Sequence, residues 1–130
     1  MQKWHEINEA KHLKSGEMTH GLAGGEDVLV VNRDGSFHAF INRCGHMNAP
    51  LDLGTFKSGV LKCPQHSAVF DATTGDVRGQ PVMAMHGMDK LPPEFLEAMA
   101  KMGPIFARIE CRPLEPLPVE VSNDTVRVFV

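Results

Sequence analysis

With 130 residues, 42% of them hydrophobic and 22% charged, the chain has the composition of a globular protein and lies far from the disordered class. Its formal net charge of −3, with Lys and Arg scattered singly, excludes the basic stripe that a nucleic-acid backbone demands. No window nears the roughly 18 consecutive apolar residues of a membrane span, and the N-terminus holds no apolar run of signal-peptide length, so a cytoplasmic location is expected.

At this length one domain, 1–130, is the economical reading. Cysteines 44, 63 and 111 are odd in number and cannot form a disulfide framework, which points to ligand or free-thiol roles.

Along the chain, short apolar runs punctuated by turn residues favour strands. In DVLVVNRDGSFHAFIN, Val28–Val31 and Phe37–Ile41 flank Asp34-Gly35, a pair that tolerates the positive φ of a tight turn and so predicts a hairpin. VLK at 60–62 leads into a Cys/His cluster, and SAVFDATTGDV reads as strand, turn, strand. LPPEFLEAMAKMG breaks the pattern. Its early prolines, Glu94 and Glu97 near the start, Lys101 near the end and a stop at Gly103 before Pro104 predict one amphipathic helix near 92–102. The chain closes on a second hairpin, in which Val119 and Val121, then Val126, Val128 and Val130, alternate with polar residues. These elements make a small antiparallel all-β protein, with residues 83–112 as a helical insertion.

Cys44-Gly45-His46 and Cys63-Pro64-Gln65-His66 place two cysteines and two histidines within 23 residues. Thiolate and imidazole are borderline-soft ligands, and two such turns present four donors to one centre if the sixteen residues between them bring the turns together. Two chemistries fit. In a mononuclear zinc site all four donors bind one ion, whereas in a binuclear iron–sulfur centre the cysteines take one iron and the histidines the other. Zinc fingers typically pair cysteine with cysteine and histidine with histidine; here each turn contributes one of each. Two loops flanking an Fe2S2 core can each give one ligand to each iron only in that arrangement.

With its flanks, APLDLG after the first turn and FDATTGDVRGQP after the second, the pattern resembles the Rieske-type [2Fe–2S] ferredoxins of the low-potential, oxygenase-associated type, over about Trp4 to Pro81 and again over Pro113 to Val130. The resemblance implies a β-sandwich or barrel of Rieske type with a cluster-binding subdomain and one [2Fe–2S] cluster per chain. By the same resemblance, Cys44 and Cys63 bind the inner ferric iron, His46 and His66 bind the outer iron that changes valence, and Pro81 belongs to a proline loop over the cluster. Two departures carry information. High-potential members have a disulfide-forming cysteine in each ligand loop, where this chain has Ala49 and Gln65. They also direct serine and tyrosine hydroxyls at cluster and cysteine sulfur, where this chain has Ala68 and Phe70. Without those donors the reduced state is less stabilised, so the potential is expected toward the low end of a range that runs from roughly −150 to +300 mV.

The implied function is one-electron transport from a flavin reductase to an oxygenase, both docking at the cluster tip, rather than catalysis. No carboxylate cluster or Ser/His/Asp set stands out. The potential is expected to fall with rising pH wherever the ligand histidines titrate. Two alternatives stay open: a non-catalytic electron-transfer or regulatory subunit of a larger oxidoreductase, like the small subunit of assimilatory nitrite reductases, and a zinc-stabilised interaction module. A terminal oxygenase is not expected, since its mononuclear iron needs a separate catalytic domain. His5, His12, His20 and His38 read as ordinary surface or core residues. Met83, Met85, His86, Met88, Met99 and Met102 read as adaptable packing of the helix on the sheet rather than a copper(I) site. Cys111 is expected to be a buried spare thiol. Residues 83–112 are expected to pack on the sheet, with cluster shielding, partner docking and a homo-oligomer contact as the other roles open to them.

Overall fold

The structure, a computed structural model, describes residues 2–45, 49–64, 67–79, 92–106 and 111–130. Its strands run in chain order as β1 (Trp4–Glu6), β2 (Met18–Ala23), β3 (Glu26–Arg33), β4 (Ser36–Ile41), β5 (Thr55–Lys57), β6 (Val60–Lys62), β7 (Val69–Asp71), β8 (Val77–Gly79), β9 (Val119–Ser122) and β10 (Thr125–Phe129), with helix α1 (Pro93–Phe106) between β8 and β9. They form three antiparallel sheets of order β1-β10-β9, β2-β3-β4 and β5-β6-β7-β8.

Four hairpins close on two-residue turns in which both positions have positive φ, the geometry whose twist matches that of the flanking strands. They are Gly24-Gly25, Asp34-Gly35, Ser58-Gly59 and Asn123-Asp124. Each turn sets the register of its hairpin; Asp34-Gly35 fixes Arg33 opposite Ser36 and Val28 opposite Ile41.

The middle sheet is apolar on both faces, and this explains the unbroken Val28–Val31 run. Val28 and Val30 pack with Ile7, Ala39, Val126 and Val128 toward the β1-β10-β9 sheet. Leu29 and Val31 pack with Phe40, Leu61 and Phe70 toward the four-stranded sheet. All four β3 residues are fully buried. A strand covered on both sides has no polar face, so its sequence does not alternate.

Three details differ from the expectations. Strands β1, β2 and β5 were not legible: β1 and β5 are three residues long, and Thr19, His20 and Gly21 interrupt β2, so each owes its conformation to its partner strand. Val121 is half exposed although Val126 and Val128 are buried. Helix α1 continues through Gly103-Pro104 to Phe106 instead of stopping near 102. Glycine lacks the Cβ through which a following proline normally turns the residue before it out of a helix, which eases that restriction at position 103. In the first half of α1 the Phe95 side chain is exposed. No helix among the described residues is long and apolar enough to cross a membrane.

Candidate metal centre

The first candidate loop leaves the end of β4 and the second leaves the end of β6. Both are closed in the same way. The Cys44 N–H donates to the Ala49 carbonyl at 2.8 Å, and the Cys63 N–H donates to the Ala68 carbonyl at 2.8 Å, five residues on in each case. Each cysteine therefore stands at the foot of a closed backbone loop, and the histidine that follows it in sequence lies within the span of that loop.

Cys44 and Cys63 are 1% and 3% exposed and belong to one packed cluster with Leu51, Leu61, Ala68, Phe70 and Leu114. The fold thus brings together two cysteines separated by nineteen positions. His46 and His66 lie outside the described residues, as do Gln65, Pro81, Met83, Met85, His86 and Met88. Among the described residues no group of three or more His, Cys, Asp or Glu side chains is placed to hold a metal ion.

A third segment braces the first loop and the turn between β7 and β8. The Arg112 N–H donates to the Gly45 carbonyl at 3.0 Å, and the Leu114 N–H donates to the Gly75 carbonyl at 2.7 Å. Backbone approach at Gly45 is so close that a Cβ there would overlap the Arg112 carbonyl, so the CxH turn needs glycine between its two candidate ligands. Cys111, at the head of this segment, is partly rather than fully buried and packs against the same cluster. Burial pushes its thiol pKa up, and the neighbouring Cys63 adds to the shift.

Behind the second loop, Asp71 organises the turn between β7 and β8. Its Oδ1 accepts the Thr73 and Thr74 N–H groups at 2.8 and 3.1 Å, and its Oδ2 accepts Arg78 at 3.1 Å. The Thr73 N–H, then the Thr74 N–H and Arg78, hold its carboxyl below the usual range against the opposing effect of burial. Arg33 of β3 donates to the Thr73 hydroxyl at 2.8 Å, which ties this turn to the middle sheet.

The base of the first loop holds residues that sequence reasoning missed. Asn42, 3% exposed, donates from Nδ2 to Asp27 at 2.9 Å and to Asp52 at 2.7 Å, and its Oδ1 accepts the Asp52 N–H at 3.1 Å. His20, read as an ordinary histidine, sits against both carboxylates. Nothing in the order of the sequence connects positions 20, 27, 42 and 52; the pairing of β2, β3 and β4 and the seating of the 3-10 helix Leu51–Leu53 beside them make them neighbours.

A buried cysteine pair served by two equivalent closed loops, each with a histidine in its span, fits mixed thiolate and imidazole ligation. The Rieske [2Fe-2S] domain family matches residues 3–96 of the chain. Apoptosis-inducing factor 3 of Homo sapiens and of Mus musculus is 38% identical over 85 residues, 65% of this chain and 13% of those proteins. The chain therefore corresponds to a small part of these relatives. The ferredoxin component of biphenyl 2,3-dioxygenase from Rhodococcus jostii (strain RHA1) is 35% identical over 69 residues, 53% of this chain and 64% of that one. Among solved structures, the ferredoxin of carbazole 1,9a-dioxygenase from Nocardioides aromaticivorans IC177 superposes with a TM-score of 0.68 at 25% identity, covering 96% of this chain and 95% of that one.

Proposed function

Because the chain belongs to the Rieske [2Fe-2S] domain family, we propose that it is a one-electron carrier whose cluster is held by Cys44, His46, Cys63 and His66. When bound, the cluster supplies a single-electron redox couple. The observation that carries the assignment is the matched pair of loops, Cys44 to Ala49 and Cys63 to Ala68, with both cysteines in one buried cluster.

Each residue has a separate task. Cys44 and Cys63 offer thiolates shielded from water, and the carbonyls of Ala49 and Ala68 fix the backbone from which those thiolates project. His46 and His66 would supply the imidazole ligands of the other iron. Ala68 and Phe70 are both fully buried and bring no hydroxyl to the sulfur atoms, which supports a potential at the low end of the family range.

On this reading the electron donor is a flavin reductase and the acceptor an oxygenase, both docking at the tip formed by the two loops, in a cytoplasmic multicomponent system. Residues 1–130 act as one domain, with 83–112 inserted in it.

The test is iron and sulfide analysis together with absorption and low-temperature EPR spectra of the anaerobically purified protein before and after dithionite. Two irons and two sulfides per chain, with a reduced spectrum of mixed cysteine and histidine ligation that is lost in Cys63→Ser and His66→Ala, is the expected result. A colourless protein holding one zinc, and refusing iron and sulfide on reconstitution, would overturn it in favour of the zinc-stabilised module.

A further inference from the structure

His20 lies between two carboxylates. Its Nδ1 is 2.8 Å from Asp27 Oδ1 and its Nε2 is 3.4 Å from Asp52 Oδ2. The other oxygen of each carboxylate is taken by the Asn42 amide, at 2.9 Å from Asp27 and 2.7 Å from Asp52. Four side chains thus form a closed ring drawn from β2, β3, the end of β4 and the short 3-10 helix Leu51–Leu53. Two backbone-anchored bonds complete it: the Asn42 N–H donates to the Asp27 carbonyl at 2.8 Å and the Asp52 N–H donates to Asn42 Oδ1 at 3.1 Å. The ring fastens residues 42 and 52, the two feet of the segment that carries Cys44 and His46, to each other and to the middle sheet.

The chemistry of the ring depends on protonation. Ionised carboxylates only accept, so the imidazolium, with a hydrogen on each ring nitrogen, is the form that suits both neighbours: it donates to Asp27 through Nδ1 and lies within ion-pair distance of Asp52 through Nε2. A neutral imidazole can serve Asp27 through Nδ1, but its Nε2 lone pair then faces Asp52, and the two carboxylates bridged by Asn42 lose the positive charge between them.

We propose that His20 is a positioning residue, a proton-dependent clasp that closes the base of the first ligand loop when charged and loosens it when neutral. The groups that face it are Asp27 from β3, Asp52 from the 3-10 helix and Glu9 from the 3-10 helix Asn8–Ala10; all three are acidic and favour the charged form. The hydrogen bond to Asp27 is the largest influence and raises the His20 pKa, while partial burial opposes it. A group with a raised folded pKa contributes its full stabilisation below the ordinary histidine value near 6.5 and loses it as pH rises through the folded value. The clasp is therefore closed in mildly acidic solution and open in alkaline solution. Only its consequence for the metal centre rests on the function proposed above.

The experiment compares the wild-type holoprotein with His20→Gln, and with Asp52→Asn as a second variant should the first fail to fold. One readout is hydrogen–deuterium exchange of peptides spanning 42–54, corrected for intrinsic rates; the other is iron release to a ferrous chelator. At about pH 6 the variant is expected to exchange and to release iron roughly threefold faster than wild type, as suits a partly exposed ion pair, and at about pH 8.5 the two are expected to coincide. Ligand histidines titrate alike in both proteins and cancel in the ratio. Equal exchange of 42–54 at both pH values, or a ratio that does not change with pH, would overturn the clasp. A pH-dependent exchange ratio with unchanged iron release would overturn its coupling to the centre. A protein without iron would instead count against the proposed function, and the exchange ratio would still decide the clasp.

Discussion

Single atoms decide much at the two loops. Gly45 is the sharpest case, because the Arg112 carbonyl occupies the place of a Cβ and is itself held by the bond from the Arg112 N–H to the Gly45 carbonyl. Gly45→Ala is expected to destabilise the protein by about 1–3 kcal/mol and to lower iron content, checked by denaturant titration and metal analysis. Asp71 acts through charge. Its folded pKa lies below the ordinary value near 3.8, so the stability it contributes is full above that value and is lost as pH falls through the folded one. Asp71→Asn keeps an acceptor for the Thr73 N–H but loses the ion pair to Arg78. It is expected to cost about 1 kcal/mol at neutral pH, and the difference from wild type is expected to vanish in strong acid, where thermal melts across pH would follow it. The sequence marked glycine at 45 as part of a turn, but the carbonyl that forbids any larger residue there comes from position 112. No local pattern reports a contact of that span.

Among the elements, two of the four hairpins with two-residue turns were legible, and β1, β2 and β5 were not. Asp34-Gly35 and Asn123-Asp124 announce turns by their own backbone preferences, and the flanking valines and phenylalanines supply the strands. β1 and β5 carry too few residues for any period to emerge. Helix α1 was legible from its proline start and its acidic first turn, while its end was not, since Gly103-Pro104 is tolerated within the helix. At the second loop, the Ala68 carbonyl accepts the Cys63 N–H, and the Ala68 side chain is fully buried beside it. Ala68→Ser puts a hydroxyl into that apolar site. With a cluster present, the hydroxyl finds sulfur as its partner and the midpoint potential is expected to rise, read by redox titration. If no sulfur acceptor is there, the potential stays unchanged and the buried unpaired hydroxyl costs about 1–3 kcal/mol in stability.

In the molecule as a whole, β3 is the shared wall of two cores. One holds the packing between the β1-β10-β9 sheet and the middle sheet, and the other holds Cys44 and Cys63. The two candidate cysteine ligands are therefore part of the core on one face of the middle sheet. No strand pairing among the described residues uses the stretch between β8 and Cys111. Replacing residues 84–110 by a short flexible linker is accordingly expected to leave a cooperative thermal transition and the iron content intact. Stopped-flow reduction of an oxygenase by this shortened chain would then tell packing from docking: an unchanged rate removes any docking role for the segment, and a slowed rate assigns one.

From the sequence by itself came the proposed donor set and the class of fold. Cysteine and histidine at CxH and CxxH spacing are a chemical statement complete in a few neighbouring residues, and β-hairpins are local objects whose turns carry their own backbone preferences. What only the tertiary structure decided is everything that depends on residues distant in the chain. The closure of the two loops on Ala49 and Ala68 and the backbone of residue 112 pressed against Gly45 are of this kind. So is the ring of His20, Asp27, Asn42 and Asp52, whose members are polar, unpatterned and drawn from separate elements. Periodicity reports which face of a strand is apolar; it does not report which other strand lies opposite, and that pairing is what makes a histidine at position 20 a neighbour of the first ligand loop.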